Sequence, residues 1–136
     1  MILLLCLYGV RLSDGAALAR DRIRGIEIFL CALKSGAPIW LPEYAEVRRA
    51  LDCVPLPEGA AADCKYYCRT GRGSREGHIK TVDRTLQPSF ARVALSMRHA
   101  HRFRHRLATG ILAKGGTVED AANILGDSPA TLGSTI

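Results

Sequence analysis

The stretch "HRFRHRLATGILAKGGTVEDAANILGD", residues 101–127, decides how this chain folds. It opens basic, runs on as an apolar segment with helical spacing, breaks at Gly115 and Gly116, and resumes as a second helical segment. Thr117 is a natural N-cap for that second helix, Glu119 and Asp120 complement the positive end of its dipole, and Gly126 is a natural stop. Two helices joined by a glycine turn are therefore expected, the first with a cationic beginning.

Outward from there, the charge is concentrated. Arg84, Arg92, Arg98, Arg102, Arg104 and Arg106 fall in one segment where Asp83 is the only acid, and the 136 residues carry a net charge of +6 with a pI near 9.4. Such a segment suits a polyanion; a solvated basic face without a partner is the plainer alternative. His99, His101 and His105 are interleaved with these arginines, and His101 and His105 stand i, i+4, the helical spacing of two zinc ligands. The glutamate of H-E-x-x-H is missing, however, and Arg98, Arg102, Arg104 and Arg106 raise the cost of binding a cation. Phosphate fits these residue types better, because a guanidinium fork matches two phosphate oxygens while imidazole bonds a third or moves a proton. His101 and Arg104, three apart on a helix, face the same way and are placed to grip one phosphate together.

The rest of the chain bounds the answer. Its length suits one domain, and a hydrophobic fraction of 48% with 24% charged residues excludes a disordered chain. Five cysteines, odd in number and scattered among apolar residues, read as reduced thiols of a cytoplasmic protein and mostly as small core residues. Cys64 and Cys68 form C-x3-C without the second Cys or His pair that a structural zinc needs. "MILLLCLYGV" lacks a basic leader region and is too short to span a bilayer, so it is read as a buried helix. "LSDGAALARDRI" predicts a helix capped by Ser13 or Asp14. "GIEIFLCALKSGAPIWLP" places two β-rich runs around a turn near Gly36, with Lys34 at the mouth of the hairpin. Tyr44, Val47 and Leu51 mark an amphipathic helix after Pro42, "CKYYC" a short strand, and "RTGRGSREGH" a basic loop without the G-K-[ST] ending of a nucleotide-binding loop. Val82, Leu86, Phe90 and Val93 mark one helix from Ile79 to Leu95 interrupted at Pro88, or two short ones.

Residues 101–127 resemble the H-x-x-R box, helix, glycine turn and "ILGH" helix of the tyrosine recombinases, the phage-integrase family. "LYGVRLSDGAALARDRI" is similar to that family's first-arginine motif, G-x-R-x-S-[DE], and "LKSGAPIWLP" to its hairpin-lysine segment. The three lie in the family's order over nearly the whole chain. The resemblance implies an α+β, mainly α catalytic domain with a small antiparallel β-hairpin sheet, occupying residues 1–136 as a single, partial domain without the family's N-terminal DNA-clamping domain. It places Arg11 at the first catalytic arginine, Lys34 at the hairpin lysine, and His101 and Arg104 at the ends of H-x-x-R. In that family a tyrosine attacks a DNA phosphodiester, giving a 3′-phosphotyrosyl link and a free 5′-hydroxyl. The implied roles are charge neutralisation by Arg11 and Arg104, protonation of the leaving oxygen by Lys34, and proton transfer or phosphate bonding by His101. The implied partner is double-stranded DNA, with oligomers forming on it; no cofactor, membrane or small-molecule substrate is implied. Taken one at a time, Arg11 reads equally as the partner of a nearby carboxylate, Lys34 as an exposed turn lysine, and His101 as a satisfied helix-start histidine.

Two positions depart from the family pattern. Asp127 stands where the family usually has His or Trp, and an ionised carboxylate repels phosphate. It is expected either to orient a neighbouring arginine or the nucleophile, or to cap the helix that starts at Ser128 and Pro129. The position implied for the nucleophilic tyrosine falls at Ile136, and Tyr8, Tyr44, Tyr66 and Tyr67 all lie in other elements. The ending "LGSTI" is what codons for Leu-Arg-Glu-His-Tyr yield on loss of one base, so a shifted reading frame is the expected origin of that gap. The chain is thus expected to be a truncated catalytic domain that binds the scissile phosphate without cutting. A basic DNA-binding module without catalysis is the alternative of a different class.

Overall fold

The computed structural model describes residues 1–92 and 99–133, with the side chains of 99 and 100 excepted. Val93 and Leu95 of the expected helical run, Arg98 of the basic segment, the His99 side chain and the terminal residues 134–136 lie outside the described residues.

Alternation builds the sheet. In β2 (Glu27–Cys31) and β3 (Pro38–Pro42) the residues Ile28, Leu30, Ile39 and Leu41 are buried, while Glu27, Cys31, Trp40 and Pro42 face outward. The pair is antiparallel with Ile28 opposite Leu41 and Leu30 opposite Ile39, and Gly36, at φ 73°, closes the expected turn. A third strand, β1 (Ile23–Arg24), pairs Ile23 with Ile28. Its 2 residues are too few to leave a periodic signal in the sequence.

Helices cover the inner face of the sheet. In α1 (Ile2–Tyr8), Leu4, Leu5 and Tyr8 are buried, but Ile2, Leu3 and Leu7 are 36–40% exposed, so the expected buried helix is buried on one face only. Tyr8 donates its hydroxyl hydrogen to the Pro42 carbonyl at 2.6 Å and stacks on Tyr44, which fixes α1 to the end of β3 and the start of α3 (Ala45–Asp52). In α3 Val47 and Leu51 point inward, as their spacing predicts. The helix α4 (Arg75–Arg92) continues through Pro88, and it starts at Arg75 rather than Ile79. Proline there forgoes one backbone donor on a helix whose hold comes from burying Leu86 and Phe90.

Three expectations are corrected. The helix α2 (Leu12–Ala16) is short and has Arg11, not Ser13 or Asp14, at its N-cap, because Asp14 turns inward to accept the Leu33 N–H at 3.0 Å. Ala17, Leu18 and Ala19 then leave the helix, and Ala19 bridges to Tyr66; this single bridge replaces the strand expected in "CKYYC". Most of the cysteines are not core residues: Cys6, Cys31 and Cys53 are exposed and Cys64 is half-buried, while half-buried Cys68 packs against the main core; all five are free thiols.

The glycine-separated pair is present as α5 (His99–Ala113) and α6 (Val118–Leu125), followed by α7 (Pro129–Gly133). Thr117 and Asp120 form a reciprocal capping box, and Gly126 ends α6 in the left-handed conformation. Ala108, Ala121, Ala122, Leu125 and Leu132 form a small second core between α5, α6 and α7, beside the main core of α1, α3, α4 and the sheet. Gly9 joins the two. At φ 59° it turns the chain out of α1, and a Cβ there would stand 3.0 Å from Leu125 and 3.1 Å from the Arg104 backbone.

Candidate functional site

The seam between the two cores is where the expected site residues meet. Gly9 reverses the chain, Val10 is buried, and Arg11 in extended backbone sends its guanidinium back toward the end of α6. There it donates to the Asp127 carboxylate through Nη2 and to the Gly126 carbonyl at 3.5 Å. Arg104, on the inner face of α5, is only 4% exposed. Its Nη1 donates to the Gly9 carbonyl at 3.0 Å, and its Nη2 to the Leu125 carbonyl at 2.7 Å and to Asp127 Oδ2 at 2.6 Å. Each carboxylate oxygen of Asp127 thus takes one arginine.

That pairing decides between the two readings of Asp127. Ser128, whose Oγ accepts the Thr131 N–H at 3.2 Å, caps α7 instead, so the capping role is overturned. Burial pushes the Asp127 carboxyl up, but the hydrogen bond and charge of Arg104 and the charge of Arg11 outweigh it and hold it below the usual carboxylate range. On Arg104, burial pulls the guanidinium down from its ordinary value and the Asp127 hydrogen bond opposes that shift; a guanidinium still keeps its proton.

Lys34, in the hairpin turn, and His101, on α5, are both exposed and stand at the mouth of the same pocket. Arg11, Lys34, His101, Arg104, His105, Asp127, Thr131 and Leu132 line that pocket, which has a volume of about 220 Å³. All five residues singled out in the sequence are therefore brought together. His101 and Arg104 do not share an aspect, however: the histidine is outside and the arginine is buried with three protein acceptors.

Two contributors escaped the sequence reading. Asp14 is 1% exposed; one of its oxygens accepts the Leu33 N–H, and the other lies 3.8 Å from Arg11 Nη1. It ties the first arginine to the residue before Lys34, and its position three after Arg11, in the quoted G-x-R-x-S-[DE] segment, was the available signal. Gly9, the glycine of that same segment but given no role of its own, supplies a carbonyl to Arg104 and leaves room for α5. Among the described residues no group of three or more His, Cys, Asp or Glu side chains is placed to hold a metal ion, and the His99 side chain lies outside them. Among them, too, no helix is long and apolar enough to cross a membrane.

No protein-family model matches the chain, and no curated protein matches it. Among solved structures it is similar to XerA recombinase, with a TM-score of 0.71 and 21% identity over 97% of this chain and 48% of that one. It is also similar to a lambda integrase (75–356) dimer bound to a COC′ core site, with a TM-score of 0.61 and 18% identity over 97% of this chain and 48% of that one. The chain spans about half the length of these structures. The likeness shows the fold, an α+β, mainly α arrangement of the tyrosine-recombinase catalytic type, as the motifs implied.

Proposed function

We propose that this chain is the phosphate-binding part of a DNA breaking and rejoining catalytic domain, of the kind used in site-specific recombination and integration, with double-stranded DNA as its partner. One observation carries this: Arg11, Lys34, His101 and Arg104, distant in sequence, line one small pocket at the seam of the fold. Two guanidinium groups at its floor suit the non-bridging oxygens of a phosphodiester, where donors held in advance stabilise the charge of the transition state by several kcal/mol. Lys34 at the mouth suits protonation of a departing 5′-oxygen, and His101 beside it suits proton transfer or a further phosphate bond. The chemistry so assigned needs neither metal nor nucleotide.

Among the described residues that line the pocket there is no tyrosine. Incubated with nicked suicide duplexes, the 136-residue chain is expected to leave no covalent protein–DNA band on a denaturing gel; such a band overturns this part of the assignment. Equilibrium binding tests the rest. Replacing Lys34 or His101 weakens duplex binding if the phosphate sits in the pocket. The second reading, a basic module gripping the DNA backbone without catalysis, is favoured by a lining without tyrosine among the described residues and requires binding to survive the loss of His101.

A further inference from the structure

The floor of the pocket is already filled by an anion. Asp127 sets one oxygen on Arg11 Nη2 and the other on Arg104 Nη2, at 2.6 Å for the latter, as two non-bridging oxygens of a phosphate would. The carboxylate is held there from several sides. Gly126 in the left-handed conformation turns the chain, the Asp127 N–H bonds back to the Ala122 carbonyl at 2.9 Å, and Ser128 takes over the capping of α7. We infer that Asp127 is an intramolecular stand-in for phosphate, and that it sets the affinity of the pocket: a phosphodiester reaches the arginine pair only by displacing it. This rests on the phosphate-binding assignment above.

The charges facing the pocket support it. Arg11 and Asp14 come from the α2 turn, Lys34 from the hairpin, His101, Arg104 and His105 from α5, and Asp127 from the end of α6. With neutral histidines the three cations meet two carboxylates, so Asp127 cancels one of the two charges left after Asp14. A phosphate entering beside an undisplaced Asp127 meets a like charge at contact distance, which is the strongest form of repulsion the site can offer. With Asp127 moved aside, both guanidinium groups present free donors to it. A binding-competent state that is populated only in part lowers the apparent affinity by that fraction.

The same contact also holds the fold, since it neutralises the buried Arg104. Stability and affinity should therefore move in opposite directions when it is lost, which a merely structural aspartate would not produce.

The test compares the full chain with Asp127→Asn, with Arg11→Gln and with the two combined, each titrated with a fluorescent duplex oligonucleotide and melted by circular dichroism. Asp127→Asn is expected to bind the duplex about tenfold more tightly or better, as removal of an internal competitor requires, and to melt at a lower temperature, with the gain abolished by Arg11→Gln. If Arg11→Gln alone weakens binding while Asp127→Asn leaves it unchanged, Asp127 is not the occupant and only the inference falls. If neither substitution changes binding, both the inference and the phosphate assignment fall. Should Asp127→Asn not fold, the wild-type chain labelled with ¹³C and ¹⁵N decides the matter. The Asp127 carboxyl carbon and the Arg11 guanidinium resonances must shift together as duplex is added. An Asp127 signal that stays in place while the arginine signal moves overturns the displacement.

Discussion

At the scale of single residues, Asp127 makes the site of this chain unlike a plain cluster of cations. A carboxylate between Arg11 and Arg104 is stable because its charged form is favoured, and its carboxyl titrates below the ordinary value. Between that lowered folded-state value and the unfolded value of about 3.9, the unfolded chain binds more protons, so stability rises with pH across that window. The contribution is fully present above the unfolded value and is lost as pH falls through the folded one. Urea denaturation of the wild type and Asp127→Asn from pH 7 downward should therefore show a stability gap that is constant near neutrality and shrinks below about pH 4. A gap that is unchanged at low pH would mean that the ion pairs are not what stabilises this position. The types of residue at the site were legible in the sequence, since arginines interleaved with histidines suit an anion and the resemblance of the motifs added Arg11 and Lys34. That Asp127 orients an arginine was one of two readings left open; that it bridges both was not legible, because Arg11 and Asp127 are 116 residues apart and nothing local couples them.

At the scale of elements, the capping box of α6, the hairpin turn at Gly36 and the spacing of α3 all follow from short-range chemistry, and each is present where the residues placed it. The elements that escaped were those whose form depends on distant partners. Leu12–Ala16 stops after a few residues because Asp14 and Ala19 are engaged by the hairpin and by Tyr66. Gly126 shows how an element's end positions the site: at φ 64° it ends α6, and a Cβ there would lie 2.5 Å from Ile39 in β3. Gly126→Ala is expected to cost about 1–2 kcal/mol for the left-handed conformation alone. The clash with Ile39 adds to this and shifts Asp127 away from the arginines. Thermal melts measure the loss; a stability equal to wild type would contradict the tight approach of α6 to the sheet.

At the scale of the whole molecule, the net charge of +6 and the pocket between the two cores bear on the proposed binding of DNA. If phosphates are neutralised by these cations, the logarithm of the binding constant should fall linearly with the logarithm of salt concentration, by about 0.9 per phosphate contacted. Anisotropy titrations at several salt concentrations read that slope, and a flat line would remove the backbone contacts from the account. The sequence by itself determined the hairpin, the amphipathic helices and the glycine-separated pair, because periodicity, capping residues and turn glycines act over a few residues; the class of fold and the candidate cations Arg11 and Lys34 came from the resemblance of its motifs. Only the tertiary structure decided that α1 exposes one face, that Cys6, Cys31 and Cys53 stay at the surface, and that Arg104 is buried behind an exposed His101. It alone placed Asp127 across both arginines. Those outcomes depend on which surfaces meet when the two cores pack at Gly9, and no local pattern encodes a contact between residues that approach each other only after folding.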